Sequence, residues 1–307
     1  MKTFLAPLAG YSDRAMREIC RIYGADICFT EMINVNTIIN VPDKAIELMQ
    51  IKNEKSPVAI QIFGTEEENL SKGAEILDKR GIDYIDLNCG CPVKKIVKTG
   101  AGSALLKDEE KLKSIIGSLR DVIKDALFSI KIRLGWDFDN LNYLNVGKIA
   151  EKEGVDFITL HARTRSQQFG GKADWQHIKY LNQYLSIPVV GNGDIISWED
   201  AFKKKELSGV SAIMIGRKAI ERPYIFSEIE KKQDLKLTKK EIKNLLLLWY
   251  KKKMKYYEEY KAVREMRKIV HRFIRGYRYS KKLRVKINEI EDFNGVKKLF
   301  ERYLDSE

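Results

Sequence analysis

Short apolar runs alternate with amphipathic segments along the first 230 residues of the chain. The runs are rich in β-branched residues, as buried parallel strands are, and the segments between them carry apolar residues at helical spacing. Eight runs are found, at positions 4–8, 26–31, 57–63, 84–88, 128–134, 157–161, 188–192 and 212–216. Eight strand–helix units in this length average about 29 residues each, which is typical of a (β/α)₈ barrel.

The alternation predicts an α/β fold, and the turn after the first run distinguishes two architectures. A doubly wound sheet usually carries a G-x-G-x-x-G turn there, and no such turn follows Leu8. We therefore predict a (β/α)₈ TIM barrel, with helices that include 14–23, 69–79 and 198–205. The predicted N-caps of these helices are Ser12 with Asp13, Thr65 with Glu66, and Ser197.

The strand signal disappears after Leu237. Thr238 and Glu241 have the spacing of a capping box, which predicts a helix that reaches about residue 260. Further helices are predicted at 262–274, ending before Gly276, and at 295–304. The sequence thus predicts a catalytic barrel domain at 1–236, followed by a small C-terminal all-helical domain at 237–307.

Charge separates the same two regions. The net charge is +13, and residues 231–307 hold 24 basic and 11 acidic side chains, so the whole excess lies there. Cationic clusters lie at 251–255, followed directly by Tyr256 and Tyr257, and at 272–284 with interleaved Tyr and Phe, which favours a polyanion such as a nucleic acid as the partner. A solvated helix face is the alternative explanation for any single cluster.

The sequence also bears on location and on the state of the cysteines. We expect no membrane span, because no apolar stretch is long enough, and no secretory signal at the N-terminus. Four cysteines in a chain of this length do not form a disulfide framework. We therefore expect a cytoplasmic protein with reduced thiols.

Polar residues close or follow several of the apolar runs. In a TIM barrel the active site lies at the carboxyl ends of the strands, so these residues are the first candidates for chemistry. They are Gln61, Asn88, Lys131, Arg133, His161, Arg163 and Arg165, with the turns G-N-G-D at 191–194 and G-R at 216–217. Glycines and an arginine after the last two strands predict a phosphate-bearing cofactor, and turns that serve only the backbone are the alternative.

Lys131 lies in the middle of a run, with isoleucines on both sides. A buried lysine without a partner is costly, so its side chain must reach an anion. A ligand anion at the barrel opening is the favoured partner. A structural salt bridge inside the barrel is the alternative.

The loop C-G-C-P at 89–92 precedes lysines and glycines, which predicts an exposed, electropositive environment for a reacting thiol. A buried structural cysteine is the alternative. Because the C-x-C spacing lacks a second pair, and because His161, His177 and His271 show no ligand spacing, we predict no zinc site.

Seven motifs occur in one order between positions 6 and 217. They are A-P-L-A-G-Y-S-D at 6–13, N-C-G-C-P at 88–92, K-T-G-A-G at 98–102, K-I-R-L-G-W at 131–136, L-H-A-R-T-R at 160–165, G-N-G-D at 191–194 and I-G-R at 215–217. The set resembles the tRNA-dihydrouridine synthases. The basic helical tail is also similar to the RNA-binding domain of that family.

The resemblance implies an enzyme that binds FMN in the barrel and uses NADPH to reduce selected uridines of tRNA to 5,6-dihydrouridine. By this likeness the isoalloxazine ring is bordered by Pro7, Leu8 and Ala9, its polar edge is bonded by Gln61 and Lys131, and His161 lies beside it. The residues expected to hold the ribityl phosphate are Asn192, Gly193, Asp194, Gly216 and Arg217.

The implied reaction delivers a hydride and a proton to the uracil. The hydride passes from flavin N5 to carbon 6, and the resemblance assigns the protonation of carbon 5 to Cys91. A thiol with a pKa near ~8.5 is mostly protonated at neutral pH. Lys131 is expected to stabilise negative charge on the reduced flavin. The uracil must leave its stack, which favours looped RNA as the substrate.

RNA contacts are expected in two places. Asn88, Arg163 and Arg165 are candidates for gripping the uracil and adjacent phosphates, and Arg264, Arg267 and Lys268 in the tail resemble the basic motif of the family. Two other functions stay open. One is a flavin reductase of free pyrimidines, which leaves the charge of the tail unexplained. The other is an RNA-binding or RNA-folding protein whose flavin site is incidental.

Overall fold

Nine strands and fifteen α-helices are found in residues 1–54, 57–275 and 280–304, the part of the chain that this computed structural model describes. The strands are β1 (Lys2–Leu5), β2 (Ile27–Phe29), β3 (Ile33–Asn34), β4 (Val58–Phe63), β5 (Tyr84–Cys89), β6 (Leu127–Arg133), β7 (Phe157–His161), β8 (Val189–Asn192) and β9 (Ala212–Ile215). 

The helices begin and end as follows. Those of the barrel are α1 (Arg14–Ile22), α2 (Val35–Asn40), α3 (Pro42–Met49), α4 (Glu67–Asp78), α5 (Lys94–Val97), α6 (Glu109–Val122), α7 (Tyr143–Lys152), α8 (Trp175–Tyr184), α9 (Trp198–Ser208), α10 (Arg217–Glu221) and α11 (Ile225–Lys231). A 3₁₀ helix spans Gly102–Lys107. The helical region that follows contains α12 (Lys239–Lys253), α13 (Glu259–Phe273), α14 (Ser280–Ile287) and α15 (Phe293–Leu304).

Eight of the strands close into a ring. Strands β4 to β9 pair in sequence order, β9 pairs with β1, β1 with β2, and β2 with β4, and every one of these pairings is parallel. The short strand β3, which the sequence did not predict, pairs with the end of β4. Each of the eight predicted runs overlaps one strand of the ring, so the predicted (β/α)₈ TIM barrel is confirmed.

The first strand ends at Leu5, before the predicted end of its run. Ala6 still bonds to β9 through its N–H, but Pro7 has no N–H with which to continue the ladder. The chain turns at Leu8 toward α1. Pro7, Leu8 and Ala9 therefore lie in the loop at the carboxyl end of β1.

The predicted helix caps agree with the structure in two cases of three. The side chains of Asp13 and Ser197 each accept a hydrogen bond from an N–H in the first turn of α1 and α9, so both predicted caps are confirmed. Helix α4 begins at Glu67, earlier than predicted, and its N-cap residue Glu66 makes no side-chain capping bond. Acidic residues in its first turn favour the helix start through the helix dipole instead.

Two apolar clusters are formed by the described residues and stabilise the fold. One fills the barrel interior with alternate strand residues, among which the rings of Phe4 and Phe157 lie 6.1 Å apart. The other lies between the strands and the helices and continues into the helical region, where Trp249 and Tyr250 are completely buried. The apolar core is therefore continuous across the domain boundary predicted at 236/237, and that boundary stays a prediction.

The capping box at the start of α12 is confirmed. Thr238 N–H donates to the Glu241 carboxylate at 2.7 Å, and Glu241 N–H donates to the Thr238 hydroxyl at 3.2 Å.

Helix α12 ends at Lys253 rather than near residue 260, and α14 is an element that the sequence did not predict. Residues 276–279, which include Gly276 and part of the cationic cluster predicted at 272–284, lie outside the described residues. Within the described ranges, no helix is both long and apolar enough to cross a membrane.

Two lysines of the predicted RNA-facing cluster at 251–255 dock the helical region on the barrel. Lys253 Nζ lies 2.6 Å from Asp13 Oδ2, and the two side chains are only 3% and 5% exposed. Lys252 pairs with Glu18 at 2.7 Å. Asp13 is the N-cap residue of α1, and Glu18 lies in the middle of that helix. These lysines are therefore structural, which corrects the prediction for half of the cluster, while Lys255 stays exposed.

Candidate active site at the carboxyl end of the barrel

The parallel register brings the predicted site residues to one end of the barrel. Asn88 pairs with Lys131 across β5 and β6, and His161 pairs with Asn192 across β7 and β8. Gln61 lies near the end of the neighbouring strand β4. Polar residues from five consecutive strands therefore lie around one opening.

Lys131 donates a hydrogen bond from Nζ to Asn192 Oδ1 at 3.1 Å. The Asn192 amide donates in turn to the carbonyl oxygen of Met214 at 2.7 Å, which fixes the orientation of that amide. Burial, reinforced by the neighbouring Arg133, lowers the pKa of Lys131 to about 8. Because this hydrogen-bond partner is an amide and not a carboxylate, the bond does not neutralise the charge of the Lys131 ammonium.

Asp194 organises the turn after β8. Its carboxylate accepts hydrogen bonds from Arg163 at 2.6 Å and Arg217 at 2.9 Å. Burial raises the pKa of this carboxyl, but the hydrogen bond from Arg163 and the other favourable contacts outweigh burial and hold the pKa below its usual value. Since a carboxylate repels a phosphate, the Asp194 side chain contributes to an anion site by holding two arginines.

Arg163 does not lie where the predicted RNA contact requires. Its side chain is only 1% exposed, and its guanidinium donates to the carbonyl oxygens of Gly170 and Gly171 as well as to Asp194. These bonds hold the loop after β7 against the turn after β8. The prediction that Arg163 contacts the uracil or its phosphates is therefore corrected, because its guanidinium is hydrogen-bonded inside the fold.

His161 is buried beside the same turn and is neutral. Burial lowers the pKa of its imidazole well below the usual value, and nearby cations lower it further. Gly193 approaches the imidazole with a φ of +132°, where an added Cβ atom would lie 3.3 Å from His161 Cδ2 and 2.7 Å from the Cβ of Ala173. This close approach requires glycine.

The charges around this turn suit an anion. The cations that lower the pKa of His161 are Lys131, Arg133, Arg163 and Arg217. Asp194 pairs with two of them, and the Arg217 side chain is 47% exposed, so part of its guanidinium stays accessible. Four cations near the carboxyl groups of Asp194 and Asp86 still leave an excess of positive charge, which fits the phosphate of a nucleotide-like cofactor.

The turn after β9 lies next to the loop after β1. A Cβ atom added to Gly216 would lie 3.7 Å from Leu8 and 3.8 Å from Ala6. The residues predicted to hold a phosphate and those predicted to border a flavin ring are thus neighbours. In the residues that the structure describes, no group of three or more His, Cys, Asp or Glu side chains is arranged to hold a metal ion.

The loop that carries Cys91 is fixed through its backbone. Asn88 Oδ1 accepts hydrogen bonds from the N–H groups of Gly90 at 3.1 Å and Cys91 at 2.9 Å, and the Cys91 carbonyl oxygen accepts one from Ser103 Oγ at 2.9 Å. Cys91 is the one cysteine of the four that is not buried. Partial burial raises the pKa of its thiol more than a hydrogen bond from the Val93 N–H lowers it. The thiol therefore stays protonated at neutral pH.

Asp86 is a site residue that the sequence analysis missed. Its carboxylate accepts hydrogen bonds from Ser129 Oγ at 2.6 Å and from Gln61 Nε2 at 2.7 Å. Burial raises the pKa of Asp86 to about 7, against the opposing effect of these bonds and of Lys131. The available signal was an acidic residue two positions before Asn88 in a buried strand, because alternate strand residues face the same side.

The same bonds define the surroundings of Asn88 and Gln61. Asn88 Nδ2 donates to Gln61 Oε1 at 2.7 Å, while Asn88 Oδ1 holds the Cys91 loop. Asn88 thus uses its amide oxygen and one amide hydrogen inside the fold, and its predicted contact with the uracil stays a prediction. Gln61 Nε2 has two hydrogens, and the bond to Asp86 uses one of them.

Arg133 connects the Cys91 loop to the loop after β7. Its Nε donates to the carbonyl oxygen of Gly90 at 2.7 Å, and its Nη1 donates to the carbonyl oxygens of Thr164 and Gln168, each at 2.8 Å. The sequence pointed to Arg133 as a polar strand residue without assigning it a role. Its bonds show that it stabilises the two loops at the opening against each other.

Cations and aromatic rings alternate around the rim. The guanidinium of Arg165 lies 4.3 Å from the centroid of the Trp136 ring, and Lys107 Nζ lies 3.7 Å from the same centroid. Phe169 is 55% exposed, and the guanidinium of Arg217 lies 5.6 Å from its ring. Such pairs suit the faces of unstacked bases. Arg165 thus lies at the rim, in a position compatible with its predicted RNA contact.

The three cations predicted to bind RNA in the helical region are not equivalent. Lys268 Nζ lies 5.0 Å from the ring centroid of Tyr11, in the loop after β1, and is therefore close to the barrel opening. Arg264 is exposed. Arg267 donates to the carbonyl oxygen of Ile290 at 2.7 Å and so stabilises the helical region itself.

The closed barrel and the polar residues at its carboxyl end define a TIM-barrel enzyme. Solved structures share the fold at low identity. An old yellow enzyme homologue from Zymomonas mobilis aligns with a TM-score of 0.54 and 11% identity, over 76% of this chain and 89% of its own. Morphinone reductase in complex with tetrahydroNAD aligns with a TM-score of 0.53 and 11% identity, over 76% and 87%.

Sequence relatives identify the family within this class. The model of the family described as Dihydrouridine synthase matches residues 4–306. The tRNA-dihydrouridine synthase B of Pasteurella multocida (strain Pm70) is 36% identical over 298 residues, 95% of this chain and 89% of its own length. That of Vibrio vulnificus (strain CMCP6) is 34% identical over 310 residues, 99% and 96%. The chain belongs to the dihydrouridine synthase family, as its motifs predicted, and is an oxidoreductase.

Proposed function

We propose that this protein reduces uridines of tRNA to 5,6-dihydrouridine, with FMN bound in the barrel and NADPH as the reductant. The names of its relatives supply the substrate class, since both are called tRNA-dihydrouridine synthase B. The observation that carries the proposal is a partly exposed, protonated Cys91 thiol at the same barrel opening as the cation-rich turn of Asp194. A cytoplasmic location belongs to the same proposal.

The donors at the opening support FMN as the cofactor. In this proposal the Gly193 and Gly216 turns and the Arg217 guanidinium hold the phosphate, while Lys131 and the second N–H of Gln61 bond the polar edge of the ring. When bound, the flavin supplies the hydride that carbon 6 of the uracil receives. The remaining residues assigned to the cofactor site are Pro7, Leu8, Ala9, His161, Asn192 and Asp194.

In the reaction, the protein's own side chains supply a proton and control the charge at the barrel opening. Cys91 donates the proton that carbon 5 of the uracil gains, and its raised pKa keeps that proton in place until it is needed. The Lys131 ammonium favours negative charge on the group bound beside it. Neutral His161 adds no further positive charge to the opening.

The RNA is proposed to contact both regions of the chain. A uracil must leave its stack to reach the barrel opening, which costs on the order of a few kcal/mol and less in a loop than in a duplex. Arg165 and the exposed ring of Phe169 offer surfaces on which bases beside the extruded uracil can stack, whereas Lys107 and Arg165 already cover the Trp136 ring. Arg264 supplies positive charge for phosphates on the helical side, and Lys268 does so in part, because it also pairs with Glu265.

Cys91→Ala in the full-length protein tests the proposed reaction. We expect dihydrouridine formation in unmodified tRNA with NADPH, measured by mass spectrometry, to fall by about 10²- to 10⁴-fold, the effect of losing a general acid. Binding of tRNA should persist. Cys20→Ala is the matched control, because Cys20 is buried in α1 away from the opening, and it should keep activity within about twofold of wild type.

The two possible failures are distinct. Full activity of Cys91→Ala would contradict the assignment of the proton donor. A wild-type protein that is loaded with FMN, binds tRNA and forms no dihydrouridine would contradict the proposed function itself.

A further inference from the structure

A chain of hydrogen bonds links the interior of the barrel to the backbone of Cys91. The Cys91 N–H donates to Asn88 at 2.9 Å, the Asn88 amide donates to Gln61 at 2.7 Å, and the Gln61 amide donates to Asp86 at 2.7 Å. Ser129 donates to the other oxygen of Asp86 at 2.6 Å. Every donor therefore points toward Asp86, which is the acceptor at the end of the chain.

All four side chains of the chain are shielded from water. Asp86 and Ser129 are 0% exposed, Gln61 is 1% exposed and Asn88 is 7% exposed. A buried amide that loses its partner cannot replace the bond with one to bulk solvent. Each link in the chain thus depends on the next one.

The two ends determine how both amides are oriented. The Cys91 N–H can only donate, so Asn88 must present its oxygen to the loop and its NH₂ group to Gln61. Gln61 must then present its oxygen to Asn88 and its NH₂ group to Asp86. The Asp86 carboxylate accepts that bond, so the Cys91 N–H and Asp86 require the same orientation of the two amides.

Without an acceptor at position 86, this agreement is lost. With leucine at position 86, one hydrogen of the Gln61 NH₂ group would have no acceptor, and rotation of its amide by 180° would turn a donor toward the Asn88 NH₂ group. Asn88 would then be held only by the N–H groups of Gly90 and Cys91. The bond from the Cys91 N–H to Asn88 would open more often, while the Cys91 carbonyl oxygen would keep its bond to Ser103.

We propose that Asp86 is a positioning residue, which holds the backbone of Cys91 in place through Gln61 and Asn88 and so supports the proton transfer at the Cys91 thiol. The proton transfer rests on the proposed function, whereas the hold on the backbone does not. Asp86 itself touches neither the uracil nor the flavin in this assignment. Its influence on the reaction passes through two amides whose orientation it fixes.

Amide hydrogen exchange of the full-length, FMN-loaded protein tests the hold on the backbone. Asp86→Leu keeps the approximate shape of the side chain and removes the acceptor. We expect exchange in peptides that cover Gly90 and Cys91 to become about tenfold faster, as loss of one buried hydrogen bond allows. Asp86→Asn should keep wild-type protection, because its side-chain oxygen accepts from Gln61 and its NH₂ group donates to Ser129.

Two further variants keep the test decisive. Ser129→Ala removes a bond that lies beyond Asp86 and should leave the exchange at Cys91 unchanged. If Asp86→Leu does not fold, Gln61→Met breaks the chain one link closer to the loop and should give the same loss of protection. Wild-type protection at Cys91 in Asp86→Leu, or in Gln61→Met where that variant replaces it, would overturn the inference.

Turnover supplies the functional readout. Asp86→Leu should lower kcat for dihydrouridine formation about tenfold while the apparent KM for tRNA stays within about twofold. Asp86→Asn should restore kcat. A wild-type protein without dihydrouridine formation would defeat the proposed function, and the exchange data would still decide whether Asp86 holds the loop. Wild-type kcat in a folded Asp86→Leu would defeat the positioning role alone.

Discussion

The cations at the barrel opening and those of the helical region differ in what surrounds them. At the opening, Arg133 and Arg163 are buried, and each donates to specific carbonyl or carboxylate oxygens. The helical region carries the whole charge excess, yet Lys253 is engaged inside the fold while Arg264 is exposed. Net charge therefore identifies a kind of partner, whereas burial and bonding show which cations can meet it.

Lys253→Met should produce the largest effect on stability among the cations of the helical region. It leaves Asp13 as a buried carboxylate without its ion-pair partner, which costs about 3 kcal/mol. Urea denaturation of the full-length protein measures the change. Lys255→Met is the matched control at an exposed position two residues away, and it should change the free energy of unfolding by less than about 0.5 kcal/mol. Equal effects would show that Lys253 is not structural.

Lys131 should make the stability of the cofactor-free barrel depend on pH. Folding lowers its pKa from 10.5 to about 8, so between these values the unfolded chain binds a proton that the folded chain does not. The contribution of Lys131 to stability is therefore least favourable below pH 8 and rises with pH across that window. Relative to Lys131→Met, the wild-type free energy of unfolding should increase by about 1.4 kcal/mol per pH unit there. A constant difference would contradict the lowered pKa.

Arg264→Ala should produce the smallest effect, and only on RNA affinity. Removing one exposed phosphate contact should weaken tRNA binding a few-fold and reduce the slope of log affinity against log salt by about 1. The kcat at saturating tRNA should not change. Lys113→Ala, at an exposed position of α6 on the barrel, is the control that should leave the salt slope unaltered. Identical slopes for both variants would remove Arg264 from the RNA interface.

The sequence predicts best those features that depend on regular periodicity or on hydrogen bonds between near neighbours in the chain. The eight barrel strands follow from β-branched runs at even spacing, and the cap at Asp13 and the capping box at Thr238 follow from local hydrogen bonds that depend on a few neighbouring residues. The clustering of His161 with Asn192 follows from the rule that parallel strands end together. These features need no knowledge of side-chain packing.

The sequence could not predict which polar side chains bond to one another across the chain. Arg163 is buried because carbonyl oxygens of its own loop and Asp194 surround it, and Lys253 is buried because Asp13 lies opposite α12. The sequence does not identify Asp86 as a site residue, because the role of a carboxyl in an apolar strand depends on Gln61, which lies on the neighbouring strand. Such long-range pairs are set by tertiary packing, which a single sequence does not display.

Mapping of dihydrouridine in total RNA from cells with and without its gene tests most directly whether this chain forms dihydrouridine in tRNA. At least one tRNA position should lose dihydrouridine without the gene and regain it with the wild-type copy, but not with Cys91→Ala. Identical maps in the presence and absence of the gene would contradict the proposed function.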